Sequence, residues 1–195
     1  MSNGDCFFSA IYRALIYNDK YNTTVQKLNE IYSLSFPIVD MIRIKSNHTF
    51  TGTNPIENEM EFVIECRKLL STMKYLDETL DYLEKNTDVY SYLLNEYNGQ
   101  SDHIQYYLQQ RGRDINTLNI IDKTVTLQNM KEILKKSGSY VGNEEFTSMR
   151  NILSRVDIQL LGPFKNFQHL PKQVRNDMIL LYNPNDVHYQ YIVFQ

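Results

Sequence analysis

The side chain best suited to covalent chemistry stands at the start of the sequence: Cys6, preceded by Asn3-Gly4-Asp5 and followed by Phe7-Phe8-Ser9-Ala10-Ile11. An acyl-transfer nucleophile must be reachable, partly ionised near neutral pH and flanked by donors for a tetrahedral oxyanion. A cysteine that opens a helix after a glycine-containing turn meets these needs. The helix dipole and unpaired N–H groups favour thiolate, Gly4 permits a positive φ, and the amides of Gly4, Asp5 and Cys6 can point at an oxyanion. Read alone, Cys6 also suits a small buried hydrophobe, the commoner fate of a lone cysteine. A thiol nucleophile needs a base, and four histidines are present. His48 falls in a polar loop, His103 near a helix start and His169 in a connection, where surface or turn roles suffice. His188 opens the last apolar stretch of the chain, the position from which an imidazole can face a nucleophile's helix.

These residues need elements to hold them. Residues 6–17 are apolar on most sides, the pattern of a helix buried in mid-domain. A second helix is predicted from Thr23 or Thr24 to Ser33, with threonine as cap and Val25, Leu28 and Ile31 or Tyr32 inward. Residues 46–54 read as a polar loop. From Pro55 to about Gln110 leucines and aromatics recur at helical intervals, with Pro55 in a first turn; further helices are predicted over 126–136, closed by Ser137-Gly138, and over 143–153. The last third changes period. Strands are expected at 156–160, 178–182 and 187–194, the last two joined through Asn183-Pro184-Asn185-Asp186 as an antiparallel hairpin. In the final strand Val187, Tyr189, Tyr191 and Val193 share one face, and His188, Gln190, Ile192 and Phe194 the other. Helices first and a small sheet last predict one α+β domain over residues 1–195.

Composition narrows the partners. A net charge of −3, from 20 basic and 23 acidic residues, leaves no footprint for phosphate neutralisation, so nucleic acid is not an expected partner. Cys6 and Cys66 form no Cys-x-x-Cys, and no histidine pair has helical spacing, so neither metal nor disulfide is expected. The start has no basic leader region, and no run of about 18 apolar residues occurs. The expectation is a soluble, cytoplasmic protein that works as a monomer without a cofactor.

The run Asn3 to Ile11 resembles the Asp-Gly-Asn/Asp-Cys-Leu/Phe-Phe-x-Ala-Ile signature of the ovarian-tumour (OTU) cysteine proteases. Tyr140-Val141-Gly142-Asn143-Glu144-Glu145-Phe146 resembles the family's Trp-Gly-Gly-x-x-Glu-Leu segment. Ile179-Leu180-Leu181 through Val187-His188-Tyr189 resembles its closing strand, turn and His-Tyr. The three blocks fall in the family's order, thiol first and histidine last; residues from about Asn18 to Ser139 match no family motif.

The resemblance implies a papain-like OTU fold with a small, mainly antiparallel C-terminal sheet. It also implies a deubiquitinase of viral or bacterial-effector type, acting in a host cytoplasm on ubiquitin or ubiquitin-like conjugates. Cys6 would be the nucleophile and His188 the base. Asn3 occupies the family's usual Asp position and is the expected third member, with Gln190, two after the histidine, as the alternative. Asp157 and Asp186 are explained by a strand face and a solvated turn. Tyr140, Gly142 and Tyr189 would line the substrate channel. The stretch 55–110 would be an inserted helical lobe whose Tyr82, Tyr90, Tyr92, Tyr97, Tyr106 and Tyr107 help hold ubiquitin. Two other outcomes stay open: a protease that processes a viral polyprotein, and a pseudoenzyme that only binds ubiquitin.

Overall fold

The computed structural model describes residues 3–47, 56–72, 135, 137–138, 141–185 and 188–194. The apolar helix predicted at the start is α1, Cys6–Tyr17, and every residue from Phe7 to Ile16 is buried. A helix apolar all round must be covered on all sides. Around α1 lie α2 (Tyr21–Tyr32), α3 (Met41–Asn47), α4 (Glu59–Ser71), α5 (Asn143–Ser154) and the strands β1 (Gln159–Phe164), β2 (Met178–Tyr182) and β3 (Gln190–Ile192). α1 packs on α4, β2 and β3, while α5 packs on β1, giving an α+β arrangement with one core.

Packing moved several boundaries. α2 starts at Tyr21 rather than at a threonine cap, because the Tyr21 ring is fully buried, edge-on to Tyr12 at 4.9 Å and tilted on Phe62 at 5.7 Å. Thr24 is buried inside the helix instead of capping it. α3 was not expected; its signal is Asp40, whose Oδ1 accepts from the Arg43 N–H at 3.1 Å in the manner of an N-cap. That helix takes in Ser46 and Asn47, and residues 48–55, His48 and Pro55 included, lie outside the described residues.

α4 opens the stretch expected as an inserted lobe, and its Phe62, Val63, Cys66, Leu69 and Leu70 are buried in the main cluster with α1. Residues 73–134, with the six tyrosines and His103, lie outside the described residues. Of the helix expected over 126–136 only Lys135 is described, as helical, and the turn after it contains Gly138 at φ 91.

The sheet runs β1-β2-β3. β2 pairs antiparallel with β3, as the turn sequence predicts, but β1 pairs parallel with β2, so the expected mainly antiparallel sheet is a mixed one. The first strand also begins later than expected. Val156 and Ile158 are buried in the turn leaving α5, with exposed Asp157 at φ 65 between them, so their alternation mimics a strand. β3 is shorter than expected. Val187 lies outside the described residues, and His188, Tyr189, Val193 and Phe194 flank the three paired residues.

β1 closes on β2 through a register shift between Leu161 and Phe164, where Gly162 takes φ 123. A Cβ there would collide with the backbone carbonyl of Leu181. Both the dihedral and the close approach require glycine. Gly162→Ala is therefore expected to cost about 2–4 kcal/mol, read from urea unfolding midpoints; a loss under about 0.5 kcal/mol would show that this edge of the sheet relaxes freely.

Candidate active site

Residues Asn3–Asp5 form a single 3₁₀ turn that runs directly into α1. Its conformation is set by a buried carboxylate. Asp5 is inaccessible to solvent, and its Oδ1 accepts from Arg67 Nε at 2.9 Å, Arg67 Nη2 at 2.6 Å and the Gly138 N–H at 3.0 Å; its Oδ2 accepts from Ser137 Oγ at 2.5 Å. Arg67 Nη2 also donates to the Gly4 carbonyl at 3.1 Å, and the guanidinium carbon sits 5.0 Å from the centre of the Phe8 ring. Burial alone would raise the Asp5 pKa. The hydrogen bonds from Ser137, Gly138 and Arg67, with the Arg67 charge, outweigh it and hold the carboxyl below its ordinary 3.8. Gly4 does not take the positive φ that the sequence suggested; among the described glycines Gly138 and Gly162 do.

Cys6 is half-buried at the first position of α1. The Tyr189 N–H donates to its Sγ at 3.3 Å. The N–H groups of Phe7 and Cys6 also face the sulfur. Burial nevertheless pushes the thiol above its ordinary 9.0; the Asp5 carboxylate adds to the rise, and the three backbone donors only reduce it. A helix start was expected to favour thiolate; in this arrangement desolvation is the larger influence.

The same hydrogen bond locates His188. Its Cα is two covalent bonds from the Tyr189 nitrogen and so lies within about 6 Å of the sulfur. The ring itself is exposed. Tyr189 packs into the core, with its ring 5.0 Å from that of Phe7. The expected strand faces hold here: Tyr189 and Tyr191 pack against the core while His188, Gln190 and Phe194 are exposed.

Gln190 opens β3 opposite Tyr182. The side chain of Asn3 and all of Tyr140 and Asp186 lie outside the described residues. Gly142 precedes α5 and donates its N–H to Glu145 Oε2 at 2.8 Å, a helix-start contact. Asp157 forms an exposed ion pair with Lys27 at 3.0 Å, and His169 is exposed in the 3₁₀ turn Phe167–His169.

The sequence reading missed Arg67 and the side chain of Asp5. A signal was available: an arginine inside the buried stripe of α4, between Phe62 and Leu70, demands a buried acid. A second such pair, Arg13 with Glu59 at 3.0 Å, joins α1 to α4. None of the described helices is long and apolar enough to cross a membrane. Comparison with protein-family models, with curated proteins and with solved structures finds no match.

Arg67→Met should strand the Asp5 charge and cost about 3–5 kcal/mol in chemical denaturation. A loss below about 1 kcal/mol would mean that the site turn does not depend on this pair. Because the folded Asp5 pKa lies below 3.8, its contribution is present above that pH and is lost as pH falls toward the folded value. Arg67→Met should flatten this acid limb of the stability curve. Alkylation of Cys6 by iodoacetamide in the free protein should accelerate as pH rises through and beyond 9.0. A plateau reached already at pH 6 would show an ion-paired thiolate instead.

Proposed function

We propose that the chain is a papain-like thiol hydrolase of the OTU deubiquitinase type, with Cys6 as nucleophile and His188 as general base. The observation that carries this reading is the Tyr189 N–H to Cys6 Sγ contact. It joins two segments 183 positions apart, the ones that carry the cysteine and histidine motifs of the resemblance. Burial of the helix that follows the cysteine, and backbone donors around the sulfur, support it further.

In this reading His188 turns inward and takes the Cys6 proton as the sulfur attacks the carbonyl at the C-terminus of ubiquitin or a ubiquitin-like modifier. A C–S bond forms, and the carbonyl oxygen gains charge opposite the Cys6 and Phe7 amides at the α1 N-terminus. Collapse breaks the isopeptide C–N bond, with His188 returning its proton to the departing lysine amine. Water, deprotonated by His188, then adds to the thioester; collapse expels the Cys6 thiolate, which regains a proton, and frees the modifier's carboxylate. No step requires a cofactor.

One feature favours a second reading, a ubiquitin-binding protein without turnover: burial pushes the Cys6 thiol up from its ordinary value. A ubiquitin C-terminal electrophile separates the two. The hydrolase reading expects a covalent adduct on Cys6 by mass spectrometry. It also expects Cys6→Ala and His188→Ala each to lower di-ubiquitin cleavage more than about a thousand-fold, with His169→Ala unchanged. Binding of ubiquitin with no adduct and no cleavage would leave the binding protein.

A further inference from the structure

Asp5 stands directly before Cys6, and its carboxylate is sealed from water. A charge held inside the protein is screened less than one at the surface, so it acts on neighbouring ionisable groups over a longer range. Unopposed, this carboxylate would work against a thiolate on the next residue. The resting balance already leans that way: burial is the largest influence pushing the thiol up, and the Asp5 charge adds to it.

Ser137 and the Gly138 N–H meet the carboxylate as neutral donors, whereas the Arg67 guanidinium meets it as a cation. Hydrogen bonds from neutral groups can hold the shape of this turn; cancelling its charge takes a cation. Arg67 also reaches past Asp5 in both directions. Its Nη2 donates to the Gly4 carbonyl at 3.1 Å, and its guanidinium carbon lies 5.0 Å from the centre of the Phe8 ring. Residues 4 and 8 bracket Cys6 at the head of α1, which sets the cation on the order of 10 Å, a helix diameter, from the sulfur. Among the described residues, the other ionisable side chains on segments beside the sulfur are exposed His188, half-buried Tyr189, Glu145 and Lys135. Glu145 accepts from the Gly142 N–H at the start of α5, Lys135 precedes the 137–138 turn, and the Arg13–Glu59 pair lies further along α1 and α4.

We infer that Arg67 is a positioning residue for the Cys6 thiol: by neutralising the buried Asp5 carboxylate it keeps an unbalanced negative charge off the sulfur, and so sets how readily Cys6 reacts. This role is separate from holding the site turn in shape. It concerns the thiol itself and holds whether or not the protein acts on ubiquitin.

Removing the two charges one at a time and then together tests it. Alkylation by iodoacetamide, read at Cys6 by mass spectrometry, is followed against pH for Asp5→Asn, Arg67→Met and the double variant. Asp5→Asn is nearly isosteric and leaves the cation unbalanced, so the midpoint of its profile should fall by about one pH unit, the effect of a unit charge on the order of 10 Å away at an effective dielectric constant of about 20. Arg67→Met leaves the carboxylate unbalanced, and its midpoint should rise by a similar amount. The double variant should return close to the parent. Loss of structure alone predicts another order: each single variant strands a buried charge and loosens the turn, so both midpoints move the same way, toward that of an unfolded thiol. Concentrated sucrose keeps weakened variants folded during the measurement, with circular dichroism as the check. If one single variant still fails to fold, the other differs from the double variant by one charge, and their midpoints must differ by about one pH unit. Single-variant midpoints that move in the same direction, or that coincide with the double variant's, would overturn the inference and leave Arg67 a purely structural residue.

Discussion

The pairing of Asp5 with Arg67 is the constraint from which the site follows. Both side chains are withdrawn from water, and a charge pair so placed is tolerable only when its remaining hydrogen-bonding capacity is filled. Asp5 meets that condition by drawing on three places in the chain: α4 through Arg67, the 137–138 turn through Ser137 and Gly138, and its own turn through the Gly4 carbonyl that Arg67 also holds. The next residue is Cys6. Its position at the head of α1 is thus fixed by contacts 62 to 133 positions away rather than by local preference. Such a pair contributes geometry more than net stability, since the cost of stripping water from both charges offsets much of their attraction.

The rest of the fold brings the histidine to that point. α1 is covered by α4 on one side and by β2 and β3 on another. The antiparallel β2–β3 hairpin returns the chain end alongside α1, so Tyr189 meets Phe7 and Cys6. β1 enters parallel to β2 and is locked by the close approach of Gly162 to Leu181, which holds the strand from which the hairpin springs.

What the sequence disclosed was what local pattern determines. The bounds of α1 and β2, the hairpin after Asn183 and the α+β class follow from apolar periodicity and turn chemistry, which act within a few residues. What it concealed depends on partners far along the chain. The start of α2 is decided by Tyr21 meeting Tyr12 and Phe62, and the role of Asp5 by Arg67. The membership of α4 in the core is decided by α1, and the parallel pairing of β1 by β2. Val156 and Ile158 misled because burial in a turn alternates as it does in a strand. Within the candidate site, Cys6 and His188 were visible as residue types at informative places, whereas the buried Arg67 that holds Asp5 was not.

The electrostatics of the sulfur give the site its character. Three backbone N–H groups favour thiolate, while burial and the Asp5 carboxylate oppose it and are the larger influence in this arrangement. Backbone donors are fixed by α1 and by the end of the hairpin, so they cannot be the variable part. The Asp5 charge is equally fixed, bound as it is to Arg67. The backbone of His188 adjoins the site through Tyr189, and its side chain is exposed. In the proposed hydrolase, these fixed groups leave the thiol protonated until the His188 ring turns toward it, so the position of that ring governs attack on a carbonyl.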